Sequence, residues 1–214
     1  LGALKPVNSF IAEGKKVSWF LDMETEGAGS IGKRLSEKGI SFLPLSDLPK
    51  EEFDGCVIIS NEKVHVDRPF VRLIPKNLYV GIGCKRGTPE ALIEDAFQKA
   101  LPAAQAFPYQ VASLASVDAK ADEKGLLDFA LHHHLPIRFY KAEELRKVAE
   151  EYGLPISKFV ENTIGVGNVC QSAALMESMK GKTLLPKTKF ASATVAIALG
   201  LSGSSALDRD MKKK

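Results

Sequence analysis

What this chain is short of narrows its class before any motif is read. Cysteine is scarce: the 214 residues hold only Cys56, Cys84 and Cys170, with no CxxC pair. An odd, widely spaced set does not make a disulfide framework and fits a reducing, cytoplasmic setting. Three of the four histidines are consecutive, His132, His133 and His134. Neighbours on a helix point about 100° apart, so these cannot converge on one ion, and we expect no metal site. No apolar run approaches the roughly 18 residues of a membrane-spanning helix. The longest candidate is the short Ala193–Leu201. An excess of one charge is missing too. The 29 basic against 26 acidic residues give a net charge of +3. That is too even for a nucleic-acid binder driven by charge alone, yet it permits a locally basic pocket for an acidic small molecule. The opening LGALKP has no basic n-region, no apolar h-region and no Met. From it we expect no signal peptide, and we expect a fragment or a processed chain.

What is present is globular material. Hydrophobic residues make up 45% and charged residues 26%, enough for a core in one or two domains. KVSWFL at 16–21, ISFLPL at 40–45 and the apolar DGCVIIS at 54–60 read as strands. Residues 61–77, polar and carrying Pro69 and Pro75, read as an extended connection between two units. LYVGIGC at 78–84, VASLASV at 111–117 and PIRFY at 136–140 read as strands of a second unit. TLLPK and ATVAIAL are two late ones. Between them lie helical patterns. One opens with Thr88 at the N-cap and Pro89 at N1 and closes at Pro102. Another is capped near Asp122 and runs through His132. Two more span 142–152 and 168–179, and a short one follows Ser157 at 158–163. Alternating strands and helices predict an α/β protein of two units, the C-terminal one a three-layer α/β/α domain with a mixed sheet.

Four segments carry candidate chemistry. GAGSIGKR at 27–34 fits both GxGxxG and GxxxxGK, which would wrap backbone amides around a phosphate. Arg34 in place of the magnesium-binding Ser or Thr, and the acidic approach DMETE, count against that reading and favour an ordinary turn into a helix. GIGCKRGTP at 81–89 joins a strand to a helix N-terminus, where ligands of open α/β sheets bind. Gly81, Gly83 and Gly87 allow close approach, while Lys85 and Arg86 add positive charge. Cys84 is either a nucleophile or, more simply, a packed side chain. SVDAKADEKG at 116–125 follows the next strand and clusters Ser116, Asp118, Lys120, Asp122 and Glu123. A carboxylate beside a lysine suits acid–base work; a capped, solvated turn is the plainer account. Lys187 and Lys189, beside Pro186, sit between the last two strands, as an exposed turn or as further basic groups of a pocket.

The order and spacing of VGIGCKRGTPEALIEDAF, LASVDAKADEKGLLDFA, PIRFYKAEEL, SKFVENTIGVGNVCQSAALM, LLPK and ATVAIAL resemble the C-terminal domain of the cobalamin biosynthesis protein G family, CbiG. That domain is similar to the stand-alone CobE proteins. The resemblance covers about residues 78–200. Residues 1–77 resemble the family's central region through weaker motifs. It implies three segments: a CbiG central-like unit at 1–77, the CobE-like domain at 78–202 and a flexible tail at 203–214. It further implies a C-terminal two-thirds piece lacking the family's N-terminal domain.

The activity implied by the resemblance is hydrolysis of cobalt-precorrin-5A. Opening the ring-A lactone and releasing acetaldehyde gives cobalt-precorrin-5B. Cobalt would arrive inside this tetrapyrrole substrate, so no cofactor is implied. Neighbouring pathway enzymes or a second copy are the protein partners to consider, with no nucleic acid or membrane. Such a macrocycle is edged with carboxylates. We therefore expect Gly81, Gly83, Cys84, Lys85, Arg86, Gly87, Thr88, Ser116, Asp118 and Lys187 to line its site. We expect Glu123 to activate water with Lys120 as its electrostatic partner, and amides of 83–87 to hold an oxyanion. Gln171 departs from the family, which often has Glu in that VxExAA block. A corrinoid carrier and a nucleotide-binding regulator are the alternatives.

Overall fold

The computed structural model describes residues 5–25, 27–155 and 168–200, apart from the side chains of Lys5, Pro6 and Ser30. The expected helix at 158–163 and the tail at 203–214 lie outside the described residues. Contacts divide the chain into two compact units, Leu1–Pro75 and Lys76–Lys214.

The first unit is built on a four-stranded parallel sheet in the order β2-β1-β3-β4. The helices are α1 (Lys5–Ala12) and α2 (Ala28–Glu37), and the strands are β1 (Val17–Leu21), β2 (Leu43–Pro44), β3 (Gly55–Ile59) and β4 (Phe70–Leu73). β3 is central and every residue in it is buried, as its unbroken apolar run requires. On one face Val7 packs on Val57 and Val71, and Ala28 and Leu35 pack on Leu21 and Ile59. Phe20, Phe53, Cys56 and Ile58 fill the other face.

Two readings are corrected here. Residues 61–77 are not merely a connection, because Phe70–Leu73 pairs with β3 in parallel. Pro69 accepts a ladder bond through its carbonyl, from Cys56 N–H, and needs no N–H of its own. The strand expected at 40–45 shrinks to two residues and passes into a 3₁₀ turn, Leu45–Lys50. In GAGSIGKR only Gly27 lies before the helix, at φ +85°, while Gly29 and Gly32 sit inside α2, as the favoured turn into a helix has it. Gly32 lets Phe42 press onto the helix.

The second unit carries a five-stranded mixed sheet in the order β7-β6-β5-β9-β8. The elements are β5 (Leu78–Cys84), α3 (Glu90–Ala103), β6 (Val111–Val117), α4 (Lys124–His132), β7 (Ile137–Tyr140), α5 (Ala142–Glu151), α6 (Val169–Glu177), β8 (Lys182–Lys189) and β9 (Ala193–Leu199). β5, β6 and β7 are parallel, whereas β9 runs against both β5 and β8. The two-fold strand period sorts the faces. Leu78, Val80, Ile82, Val195 and Ile197 meet α3 and α4 through Ile93, Phe97, Leu126 and Phe129. Ala115, Val117, Ala196 and Ala198 meet α5 and α6. This is the expected three-layer α/β/α domain. Each fully buried Phe or Leu contributes about 1.5–3 kcal/mol of transfer free energy.

The small residues of the α5/α6 face have a geometric cause. A Cβ on Gly81 would stand 1.7 Å from the Cys170 carbonyl oxygen, so α6 lies almost on the strand. Gly81 is therefore a packing glycine rather than a ligand contact. The consecutive histidines take the plainer role. His132 hydrogen-bonds Glu90, His133 hydrogen-bonds Glu94 and stacks near Phe97 and Phe129, and His134 turns the chain at φ +50°. Together they fasten α4 to α3.

Candidate functional site

Topology brings four strand ends to one edge of the second sheet. β5, β6, β7 and β8 all point the same way, so Cys84, Val117, Tyr140 and Lys189 finish together. α3, α4 and α5 begin at that edge. α6 also presents its N-terminus there: Val169 packs with Val117 at the end of β6, whereas Glu177 accepts from Ser113 near its start. Four helix N-termini thus face one edge, and their dipoles favour negative charge there.

The two candidate turns lie side by side and are cross-linked. Arg86 Nη1 donates to Asp122 Oδ1 and Oδ2 at 3.1 and 3.0 Å, and its Nη2 donates to the Ala119 carbonyl at 3.2 Å. Beneath this exposed pair is a buried one. Glu123 Oε1 accepts the Gly87 N–H at 2.7 Å, and Lys120 Nζ donates to Glu123 Oε2 at 3.4 Å. Lys120 is 7% and Glu123 4% exposed. One carboxylate oxygen is thus firmly anchored, while the other holds a long contact with acceptor capacity to spare. Gly87 has φ +74°, a left-handed turn that suits glycine.

Other residues in the turns have partners within the fold. The Thr88 hydroxyl does not cap α3. It donates back to the Lys85 carbonyl at 2.7 Å, and Pro89 occupies the N-cap position. Asp122 does not cap α4 either, because Arg86 takes its carboxylate and Glu123 stands at the N-cap. Pro102 lies within the last turn of α3 instead of ending it. Ser116 is fully buried and donates to the Ile82 carbonyl at 2.7 Å. Asp118 is exposed and accepts the Ala119 amide at 2.8 Å. A Cβ on Gly125 would lie 2.2 Å from the Thr88 carbonyl oxygen, so this glycine lets the starts of α3 and α4 touch.

Cys84 is partly buried against the core. Burial pushes its thiol up, the Lys120 charge partly offsets this, and Glu123 pushes it further. The Arg86 hydrogen bond and charge hold the Asp122 carboxyl below its usual range. Lys85 is exposed at the rim.

A further group was not legible as a unit in the sequence. Lys187 and Lys189 lie within β8 rather than after it. The Lys187 N–H donates to Gln171 Oε1 at 3.1 Å, as does Asn168 Nδ2 at 3.2 Å. Gln171 serves as an acceptor, a role that an amide shares with a carboxylate. Thr194 Oγ1 donates to the Gly83 carbonyl at 3.2 Å, and a Cβ on Gly83 would reach that hydroxyl at 2.7 Å. Cys170 is buried, which pushes its thiol up, with the Lys187 charge among the opposing influences. Asn168, Cys170, Gln171 and Thr194 join the edge only because α6 and β9 run against β5. No local pattern signals that. Among the described residues no cluster of three or more His, Cys, Asp or Glu suits a metal ion, and no helix is long and apolar enough to cross a membrane.

Residues 78–198, more than half of the chain, match the family described as Cobalamin synthesis G C-terminus. This chain belongs to that family. It is 33% identical over 189 residues to the cobalt-precorrin-5A hydrolase of Salmonella typhimurium, covering 85% of this chain and 52% of that one. An alignment of that length reaches into the first unit. It is 34% identical over 122 residues to Protein CobE of Sinorhizobium sp, covering 56% of this chain and 79% of that one. Among solved structures it is similar to that of CobE, "a protein from the cobalamin (vitamin B12) biosynthetic pathway". That likeness has a TM-score of 0.54 at 28% identity, over 59% of this chain and 92% of CobE. The chain spans about half the length of the hydrolases it matches, 52% of the Salmonella protein and 55% of a probable one from Methanocaldococcus jannaschii. The family read from the sequence motifs is therefore the family of the protein.

Proposed function

We propose that this member of the family acts on cobalt-precorrin-5A. Water adds to the ring-A lactone carbonyl and the acyl C–O bond breaks to give a carboxylate and a secondary alcohol. Proton loss from that alcohol then breaks the C–C bond to the macrocycle, so that acetaldehyde leaves, the electron pair passes to the ring and cobalt-precorrin-5B remains. The observation that carries the reading is the convergence of four helix N-termini with Lys85, Arg86, Lys120 and Lys187 at one sheet edge. A tetrapyrrole rimmed with carboxylates needs such an edge, and each charge-assisted contact contributes about 1.5–3 kcal/mol. Lys85, Arg86 and Lys187 meet the peripheral carboxylates. Glu123, anchored through Oε1, uses Oε2 to take a proton from the attacking water, with Lys120 balancing the charge. Amides of the Gly83–Gly87 turn, apart from that of Gly87, hold the oxyanion. Cobalt enters as part of the substrate.

One observation favours a second reading, a non-catalytic corrinoid carrier. Both Glu123 oxygens are engaged and the residue is nearly buried, which suits a brace better than a base. Incubation with cobalt-precorrin-5A followed by acetaldehyde trapping separates the two. Release that is lost in Glu123→Gln supports the hydrolase with Glu123 as base. Release unchanged in Glu123→Gln removes Glu123 from that role. Binding of the substrate without release supports the carrier.

A further inference from the structure

The geometry of the Arg86–Asp122 pair is unusual for a brace. Both carboxylate oxygens sit on a single guanidinium nitrogen, Nη1, at 3.1 and 3.0 Å. The strongest arrangement sets two nitrogens against two oxygens in parallel. Here Nη2 is spent on the Ala119 carbonyl at 3.2 Å, so Arg86 holds its internal carboxylate by an inferior mode.

The pair is also open to water. The side chains of Arg86 and Asp122 are 65% and 72% exposed. Exposed ion pairs contribute little and exchange readily. The turns do not need this one to stay together. Across the turns the Gly87 N–H is bound to Glu123 and Gly125 lets the two helix starts meet, while Lys120 to Glu123 and Thr88 to the Lys85 carbonyl fix each turn internally. All of these lie deeper than Arg86 and Asp122. The ion pair is redundant as a fastener, and it occupies the rim of the edge that the helix dipoles make attractive to anions.

We infer that Asp122 is a specificity-determining residue: an internal carboxylate that occupies the Arg86 fork and is displaced by a carboxylate of the incoming ligand. The inference rests on the reading that this edge receives an acidic tetrapyrrole. Exchange of one carboxylate for another leaves the charge on Arg86 satisfied throughout. A ligand with free carboxylates gains the fork, while a neutral or esterified ligand must leave Asp122 in place and gains nothing from Arg86. Asp122 thereby sets a threshold: only a carboxylate that holds the fork better than Asp122 does gains Arg86, at some cost in affinity for every acid.

The test is an affinity comparison on the whole chain with a cobalt corrinoid bearing free peripheral carboxylates and its fully esterified counterpart as probes. Asp122→Asn removes the competitor and should tighten binding of the acid by roughly two- to five-fold, the range of an exposed ion pair. Binding of the ester should not change. In an Arg86→Ala background the same substitution should have no effect. The opposite sign overturns the inference: weaker acid binding in Asp122→Asn would mean that the pair pre-organises the turn. Equal tightening of acid and ester, or a gain that survives Arg86→Ala, would also overturn it. If the wild type, Asp122→Asn and Arg86→Ala chains all fail to bind the acid, the corrinoid reading of the edge falls and takes this inference with it. That failure is separate from the first, in which binding is present but changes with the wrong sign.

Discussion

Two sheet edges in this protein occupy equivalent positions and have opposite characters. At the carboxyl ends of β1 and β3 in the first unit, polar groups close on one another. Asp22 is buried and accepts from the Ser60 hydroxyl at 2.6 Å and the Glu24 amide at 3.0 Å, and the Asn61 amide reaches Thr25 Oγ1 at 3.4 Å. The residues in sequence around them include Glu24 and Glu62, and the network contains no lysine. At the corresponding ends of β5 and β6, the buried group is a lysine–glutamate pair, and further cations and helix N-termini gather around it. Strand ends of an α/β sheet offer a place for polar chemistry. What differs is the charge: the first edge pairs an acid with hydroxyls and amides, with Asn61 Oδ1 buried and unpartnered, while the second gathers cations and helix N-termini that leave a field for an anion.

The comparison can be broken most severely at Gly81. Gly81→Val places a side chain where the Cys170 carbonyl oxygen would be 1.7 Å from its Cβ, and α6 cannot remain on the sheet. We expect a loss at or above the roughly 3 kcal/mol upper end of overpacking costs, seen as a large drop in Tm. Gly29→Ala is the control in the first unit. Nothing lies within 4 Å of its Cβ position inside α2, and denaturant unfolding should show it neutral or about 0.5–1 kcal/mol more stable.

Next in size is Glu123→Ala, which strands Lys120 in its buried site. The expected cost is about 3–5 kcal/mol, read from urea unfolding of the second unit's transition. Asp22→Ala makes the matching cut in the first unit. It frees the Ser60 hydroxyl and one amide without orphaning a buried cation, so we expect about 1–3 kcal/mol. Equal losses at the two sites would erase the distinction between the edges.

The smallest effect concerns pH and the α3–α4 clamp. The Glu90 hydrogen bond and charge hold His132 above its ordinary 6.5. Its contribution is therefore complete below pH 6.5 and lost as pH rises through the raised value. The Tm difference between the wild type and His132→Asn should shrink across that window. A difference that grows with pH would remove the ion pair from the account.

Much of the second unit was legible because periodicity reports local burial. The strand at 78–84, the stripe of Ile93, Ala96 and Phe97, and the helix–strand alternation all follow from it. β4 was not legible: Phe70–Leu73 is a short, half-exposed edge strand between prolines, and its composition resembles a loop. The phosphate-loop pattern at 27–34 was ambiguous for a related reason. Glycine spacing is the same whether the backbone loops or coils into a helix, and only the packing of Phe42 on Gly32 distinguishes them.

By itself the sequence determined the α/β class, the two units and the two charged turns, since these depend on residue type within a few positions. It also carried the family motifs. Only the tertiary structure decided that Arg86 meets Asp122 and Gly87 meets Glu123, contacts that each span 36 residues. The same holds for α6, which lies antiparallel on Gly81 and so adds Asn168 and Gln171 to the edge. Pairing across such distances depends on how whole elements pack, and no local pattern of side chains encodes the direction in which a helix returns across a sheet.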